Sequence, residues 1–370
     1  MPLLSRSDYL YQIRIYDNSN NLLGVYDDLI SLQYRKVVNE PGMAVLTVPD
    51  DHPIISQLVD DLLMEVYFIY RPATTGEVTD QQDFLGLYRD KQIVTDQDGN
   101  IHYLLLFPSA IEALSRDVIA YPSGVTSKSR WVGQTMANIA ADIVTWNCTS
   151  SATTANGRHR TANPVRSMAV TAVAGTPTID YSVSYRNVLE VVQELAAGGN
   201  FDFDVIRNGA TTNLKFQEYT LLGTDKSAII IFDLNLDNVQ GAAQNGERLK
   251  EKTVAIVGGD GAGASRNISI RTGANQSASN DYEIFIDARS NSPAELVAIG
   301  DTKMLELQAR TSVDIDFASS SGYVYRRDYG LGDWVTVSFG GVMQTKKIAL
   351  VEVTFDQSQV TNVRLEFTNP

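Results

Sequence analysis

Apolar and polar residues alternate along most of the first hundred residues, the pattern of strands with one buried face. Tyr11, Ile13 and Ile15, for example, are separated by single polar residues, and turn-forming residues divide one run from the next. The pattern predicts strands at residues 9–16, 22–26, 30–37, 43–48, 63–70, 84–95 and 101–107.

The C-terminal third shows the same alternation. In DYGLGDWVTVSFGG, residues 328–341, a Gly-Leu-Gly-Asp turn precedes a strand, and we assign a structural role to Gly330, Gly332, Asp333 and Trp334. No side chain of this segment looks reactive, so we interpret it as scaffold. Further strands are predicted at residues 253–257, 266–271, 282–288, 313–317, 346–355 and 360–367.

Helical periodicity is strongest in the middle of the chain. Gly198 or Gly199 is expected to end the clearest helix in the left-handed conformation. Ser109 and Glu112 have capping-box spacing for a short helix. Helices are predicted at residues 53–62, 109–114, 131–146, 187–199 and 293–309, the last capped by Asn291 or Ser292.

The order of elements is similar at the two ends of the chain: several strands, one helix, then three or four strands. This similarity predicts two β-barrel or sandwich domains, residues 1–107 and 251–370, flanking a mixed insertion, residues 108–250. The expected fold class is therefore mainly β with an α+β insertion. A chain of 370 residues is long enough for several domains.

Composition excludes some functional classes. A net charge of −14 argues against a protein that binds nucleic acid through its phosphates. The single cysteine, Cys148, and three scattered histidines predict no disulfide, no metal site and no cofactor. No apolar run reaches the ~18 residues of a membrane helix, and the first residues lack signal-peptide order. We therefore expect a soluble protein that is not exported by the usual signal.

Several patterns resemble functional motifs but lack the necessary context. The glycines at residues 258–263 are followed by a strand rather than the helix of a nucleotide site, which predicts an inter-strand loop. The sequence DQDGN, residues 96–100, lacks the later ligands of a calcium loop and predicts a hairpin turn. With no catalytic signature, we expect that the protein is not an enzyme. Two carboxylate pairs are expected to be solvated: Asp202 with Asp204, and Asp314 with Asp316.

Four blocks of sequence carry a family resemblance that spans most of the chain. They are YQIRIYDNSNNLLGVYDDLISLQYRKVVNEPGMAVLTVP, NVLEVVQELAAGGNFDFDV, KTVAIVGGDGAGASR and DYGLGDWVTVSF. Together they resemble the tail hub, or baseplate hub, proteins of long-tailed bacteriophages.

The resemblance implies a structural virion protein with two tube-like β domains in each subunit of a homotrimer. Three such subunits form a pseudo-sixfold ring at the distal end of the tail tube, with residues 108–250 outside it. The implied partners are the distal tail or tail tube protein, the tape-measure protein, the tip or fibre proteins, and genomic DNA that passes without specific binding. The implied location is the tail tip of the virion, after synthesis and assembly in the host cytoplasm and without membrane insertion.

Two alternatives remain open. One is the hub or spike-base component of a contractile injection machine, which shares the architecture. The other is a carbohydrate-binding or carbohydrate-cleaving protein of the tail tip, which requires an aromatic groove with two carboxylates from different strands. We also hypothesise that carboxylates line the channel of the ring and repel the passing DNA.

Overall fold

The computed structural model describes residues 9–26, 29–70, 79–120, 129–152, 168–208, 214–236, 238–289, 291–317, 322–339, 342–356 and 361–368. These residues form 22 strands and three α-helices. The strands of the first half are β1 (Tyr9–Tyr16), β2 (Leu22–Tyr26), β3 (Ser31–Val37), β4 (Glu40–Pro49), β5 (Leu63–Tyr70), β6 (Thr79–Leu87), β7 (Asp90–Thr95), β8 (Ile101–Pro108), β9 (Ser129–Thr135), β10 (Ala169–Thr171) and β11 (Thr178–Val183).

The remaining strands are β12 (Asp202–Arg207), β13 (Leu214–Tyr219), β14 (Ile231–Asp233), β15 (Val239–Glu247), β16 (Val254–Gly258), β17 (Ile268–Thr272), β18 (Glu283–Asp287), β19 (Arg310–Phe317), β20 (Trp334–Phe339), β21 (Val342–Asp356) and β22 (Thr361–Thr368). The helices are α1 (Met136–Cys148), α2 (Val188–Gly199) and α3 (Pro293–Glu306).

One large sheet contains strands from both ends of the chain. Its order is β15-β19-β22-β21-β3-β4-β8-β7, with β20 beside β21 and β14 beside β20. The two ends meet where β21 pairs antiparallel with β3, from Leu350 opposite Val37 to Asp356 opposite Ser31. The mainly β prediction is confirmed, and the sheets of the described residues do not close into a barrel.

A second sheet, of order β2-β1-β5-β6, packs on one face of the large sheet. Alternating apolar side chains of both sheets form the core between them, as expected for a sandwich. The ring of Tyr11 lies 5.6 Å from that of Phe68 and 5.4 Å from that of Phe355, so it joins residues from distant parts of the sequence. Each large apolar side chain buried here contributes about 1.5–3 kcal/mol.

Two predicted elements are wrong because the chain changes partners within them. Residues 84–95 were expected to form one strand, but the chain leaves the second sheet after Leu87 and enters the large sheet at Asp90. Between them, the Tyr88 N–H donates to Leu62 and the Arg89 N–H donates to Leu106. Residues 131–135, predicted as helix, belong to β9, which pairs with β11.

Polar residues, rather than glycines, cap helix α2 at its C-terminus and helix α3 at its N-terminus. Helix α2 ends at Asn200, which has a φ of 51°, so the prediction of a glycine stop at residue 198 or 199 is wrong. Helix α3 begins with a capping box between Ser292 and Glu295. Ser109 stands at the N-cap of the 3-10 helix Ala110–Arg116, but its Oγ accepts the Gly42 N–H instead of a helix N–H, so the predicted capping box with Glu112 is wrong.

The middle of the chain forms two smaller units. Helices α1 and α2 pack on a sheet of order β10-β13-β12. Helix α3 covers one face of a small sheet of order β17-β16-β18. Strand β15 belongs to the predicted insertion, residues 108–250, yet it pairs with β19; the division of the chain into three domains stays a prediction.

Candidate assembly site

Both ends of the large sheet are open edges in the described part of the chain. Strand β7 pairs there with β8 alone, and β15 with β19 alone. The Asp96 N–H donates to the Asn100 carbonyl at 3.0 Å, which sets the alternation of hydrogen bonds along the β7–β8 hairpin. The N–H groups of Lys91, Ile93 and Thr95 therefore point away from β8, and that of Lys91 donates to the Asp90 carboxylate at 2.8 Å. Such an edge can pair with another strand.

The hairpin is exposed on both faces. All residues from 89 to 101 are exposed, and Ile93 retains 58% of its accessible surface. The Asp96 carboxylate accepts the N–H groups of Asp98 and Asn100, which confirms the predicted hairpin turn. Hydrogen bonds from the side chain of Asn100 and from His102 hold the pKa of Asp96 well below its usual range. The turn thus fixes the geometry of an uncovered edge.

The large sheet repeats one strand order twice. Along the chain, β3, β4, β7 and β8 are the first to fourth strands of one half, and β15, β19, β21 and β22 those of the other. Both halves read first, second, fourth, third in the same direction across the sheet. All seven neighbouring pairs on this path are antiparallel. The halves are thus related head to tail, and the third strand of one half, β21, pairs with the first strand of the other, β3.

A buried ion pair lies near this junction. Lys347 Nζ is 2.6 Å from Asp202 Oδ1 and 2.7 Å from Oδ2, and the same carboxylate accepts the Leu222 N–H. The prediction that Asp202 projects into solvent is therefore wrong. Asp204 is half-buried, and burial raises its pKa although Lys36 opposes the shift. The side chains of Asp314 and Asp316 lie outside the described residues.

The turn at residues 330–333 packs against another segment of the chain. Gly332 has a φ of 85°, and a Cβ there would lie 2.8 Å from the Gly223 nitrogen and 2.9 Å from Leu222 Cβ. Only glycine combines this φ with so close an approach. At Gly330 the nearest atom to an added Cβ is 3.6 Å away, so the two glycines differ in what they require.

Asp333 holds this contact. Its Oδ1 accepts the Thr224 N–H at 2.7 Å, and its Oδ2 accepts the Gly330 N–H at 2.7 Å and lies 2.9 Å from Lys226 Nζ. The Trp334 N–H donates to the Thr224 carbonyl, whereas its indole N–H is buried and has no hydrogen-bond partner among the described residues. The four residues singled out in the sequence thus lie together in one turn.

A second buried carboxylate, Asp83, was missed in the sequence. It accepts hydrogen bonds from Tyr34 at 2.5 Å, Tyr325 at 2.8 Å and Lys36 at 3.1 Å, and Arg326 Nε lies 3.5 Å away. Burial raises the pKa of Asp83, but Lys36 and Arg326 outweigh burial, so the pKa lies below its ordinary value. The four partners come from β3 and from residues 325–326, so no local pattern reveals the cluster.

The other face of the large sheet is not covered by the second sheet, and its central charges are paired. Gln33 Nε2 donates to Glu352 at 2.6 Å, and Arg364 lies 3.8 Å from Glu352 and 3.1 Å from Glu366. Arg35 is opposite Glu352 in the register. The described centre of this face therefore has no excess of positive charge.

The glycine-rich segment at residues 258–263 joins β16 to β17 through a turn, which confirms the predicted inter-strand loop. The Arg266 guanidinium donates to the carbonyls of Gly258 and Gly259. In the described residues no group of three or more His, Cys, Asp and Glu side chains could hold a metal ion. The described helices are all too short or too polar to cross a membrane.

The fold is similar to those of solved phage tail proteins. The 43 kDa tail protein of prophage MuSo2 from Shewanella oneidensis has a TM-score of 0.59 at 14% identity, covering 97% of this chain and 98% of that one. A tail protein from Neisseria meningitidis MC58 has a TM-score of 0.57 at 11% identity, covering 98% and 96%. Prophage tail protein gp18 from Listeria monocytogenes has 0.52 at 12%, covering 97% and 94%.

These observations define the class of fold, one that the chain shares with solved bacteriophage tail proteins. The sequence profile of one family, described as Siphovirus ReqiPepy6 Gp37-like protein, matches residues 12–368. The chain belongs to this family. No curated protein sequence matches the chain.

Proposed function

We propose that the protein is a tail hub in which three copies join edge to edge, β7 of one copy against β15 of the next. The observation that supports this most directly is the repeated strand order of a sheet with two open edges. Unpaired edges favour association with another strand. A head-to-tail contact that closes on itself gives a ring.

The junction within the chain serves as a template for the junction between copies. Inside one chain, the third strand of the C-terminal half, β21, pairs antiparallel with the first strand of the N-terminal half, β3. At the open edges, β7 is the third strand of its half and β15 is the first of its half. The direction of each strand makes a β7–β15 pair antiparallel as well. Eight strands from each of three copies give a tube of 24 strands with six similar units.

The proposed tube places the uncovered face of the sheet on the inside, because the second sheet already covers the other face. The paired charges around Glu352 and Arg364 make this lining neutral rather than basic. Phosphates are held at protein surfaces by unpaired Lys and Arg side chains. Such a channel suits genomic DNA that passes during ejection without being bound. The hub would act through shape and assembly rather than catalysis.

In this proposal the ring lies at the distal end of the tail. One rim contacts the tail tube or distal tail protein and the tape-measure protein, and the other side carries the tip or fibre proteins. The sixfold character of the ring matches a sixfold tube, while its true threefold symmetry suits a trimeric tip. Synthesis and assembly take place in the host cytoplasm.

A single edge substitution tests the proposal. Ile93→Pro removes one outward N–H of β7, whereas the hydrogen bonds to β8 come from the alternate residues. We expect the Ile93→Pro chain to fold as a monomer, while wild type and Ile93→Ala form trimers, measured by light scattering of the purified protein. A trimeric Ile93→Pro chain, or a copy number other than three in purified tails, would contradict the proposal.

A further inference from the structure

One face of the small sheet β17-β16-β18 exposes several apolar side chains. Ile256 of β16 lies opposite Ile270 of β17 and Phe285 of β18, so the three side chains form a row across the sheet. Ile270 retains 60% and Phe285 53% of its accessible surface, and Ile268 beside them 46%. A contiguous group of exposed apolar side chains on an ordered sheet indicates an interaction surface.

Helix α3 covers the opposite face of the same sheet. Ala255 and Val257 pack against Leu296 of helix α3. At Gly300 an added Cβ would lie 3.0 Å from Val257, so helix and sheet are in close contact. The outward row therefore does not result from a poorly formed core, and its exposure requires another explanation.

We infer that this face is the surface against which the next copy of the chain packs in the ring, an inference that rests on the proposed trimer. The packing order locates the face. The 3-10 helix Ala110–Arg116 packs on β4 and on α2, α2 packs on α3, and α3 packs on the small sheet. The large sheet runs the same way, from β4 through β21 to β15. The succession of packed helices and the order of strands both start at the N-terminal half of the large sheet. Both end on the side of the molecule where the edge of β15 is open.

The segment between β15 of the large sheet and β16 of the small sheet keeps the apolar face on the side of the open β15 edge. Strand β15 ends at Glu247 and β16 begins at Val254, and the Lys252 N–H donates to Leu307 at the end of α3. Six residues span at most about 20 Å. The chain that pairs with the β15 edge is therefore the one brought against Ile270 and Phe285. An apolar surface fits this occupant, because permanent homomeric interfaces are more apolar than transient ones.

The face also has a defined polar rim. Arg266 stacks its guanidinium 5.1 Å from the centre of the Phe285 ring and pairs with Asp287 at 2.5 Å. This arrangement leaves the apolar row in the centre with charges at its margin, as in stable protein interfaces.

The test is a double substitution, Ile270→Glu with Phe285→Glu, in the full-length chain. We expect loss of the trimer with an unchanged melting temperature of the monomer, because both side chains are exposed. Val25→Glu is the control, since Val25 is 46% exposed on β2 of the second sheet, and it should leave the trimer intact. A double variant that still forms trimers would overturn the inference and leave the edge pairing standing. A monomeric wild-type chain in purified tails would overturn both.

A labelling experiment provides a readout that does not depend on disrupting the ring. The native cysteine, Cys148, is buried and is the only one in the sequence. In an Ile268→Cys chain, a maleimide reagent should therefore react at position 268, quickly in the Ile93→Pro monomer and slowly in the trimer. Equal rates in the two states would contradict burial of this face.

Discussion

The two halves of the large sheet share a strand order but are fastened in different ways. The second sheet packs behind the N-terminal half. There the carboxylate of Asp83, in β6, binds phenol and cationic side chains from β3 and from residues 325–326. The C-terminal half is fastened by Asp333, whose carboxylate binds the main-chain N–H groups of Thr224 and Gly330 and the ammonium of Lys226. One topology is thus stabilised by two unrelated polar clusters.

The difference shows which features of a repeat must be retained. Strand order and direction decide whether the halves can follow one another around a ring, so both halves keep them. The polar cluster behind each half of the large sheet only has to satisfy buried polar groups, and two different clusters do this equally well. Sequence comparison of the halves therefore reveals no repeat at the level of residues, although the strand order repeats.

The largest effect is expected from the N-terminal cluster. Asp83→Asn leaves Lys36 and Arg326 without their carboxylate, and breaking a buried ion pair costs roughly 3–5 kcal/mol of unfolding free energy. Chemical denaturation of the monomeric Ile93→Pro background measures this loss. Asp80→Asn is the control, because Asp80 is 41% exposed beside Arg14 and its loss should cost below about 1 kcal/mol. Equal losses in the two variants would show that the cluster does not fasten the N-terminal half.

The same pair of proteins should differ in pH dependence. The folded-state pKa of Asp83 lies below its value in the unfolded chain, so its stabilisation is present above the ordinary carboxyl pKa and is lost as the pH falls through the folded pKa. The difference in stability between wild type and Asp83→Asn should therefore shrink in acid. A difference that stays constant down to acid unfolding would contradict this account.

The C-terminal half should be sensitive at one glycine and tolerant at its neighbour. Gly332→Ala places a Cβ against Gly223 and Leu222 at a φ of 85°, which should cost roughly 2–4 kcal/mol. Gly330→Ala meets no atom closer than 3.6 Å and should change stability by less than about 1 kcal/mol. Thermal unfolding of both variants provides the measurement. If both are destabilised equally, the turn is held by the flexibility of glycine rather than by the close approach at Gly332.

The contrast between the clusters also explains what the sequence could predict. The turn at residues 330–334 was found because glycines and an aspartate next to a strand form a local pattern. Asp83 was missed because its donors lie about 50 and 240 residues away, and only the fold brings them together. Asp202 was predicted to be solvated because the alternation along a strand shows on which face of the sheet a side chain lies. It does not show which other segment covers that face. The small sheet was predicted as strands, whereas its uncovered face appears only in three dimensions.

The smallest effect concerns a third carboxylate, Glu218 of β13, which sharpens the comparison because no ion pair joins it to a Lys or Arg of the described residues. Its side chain is buried and Oε2 accepts the Val173 N–H at 3.0 Å, whereas Oε1 has no hydrogen-bond partner in the part of the chain that the structure describes. Burial raises the pKa of Glu218 from 4.5 to about 8. The folded chain therefore keeps a proton that the unfolded chain releases, and Glu218 lowers stability as the pH rises from 4.5 towards 8.

Glu218→Gln preserves the shape of this side chain and removes its titration. At pH 4 both proteins are neutral at this position, and their difference in stability reflects only the amide. At pH 6 the variant should have gained about 2 kcal/mol relative to wild type, because 1.5 units separate that pH from the unfolded pKa. Urea unfolding at the two pH values measures the change. A constant difference would mean that Glu218 ionises inside the folded protein, and that burial of a carboxylate without a cation is not costly in this fold.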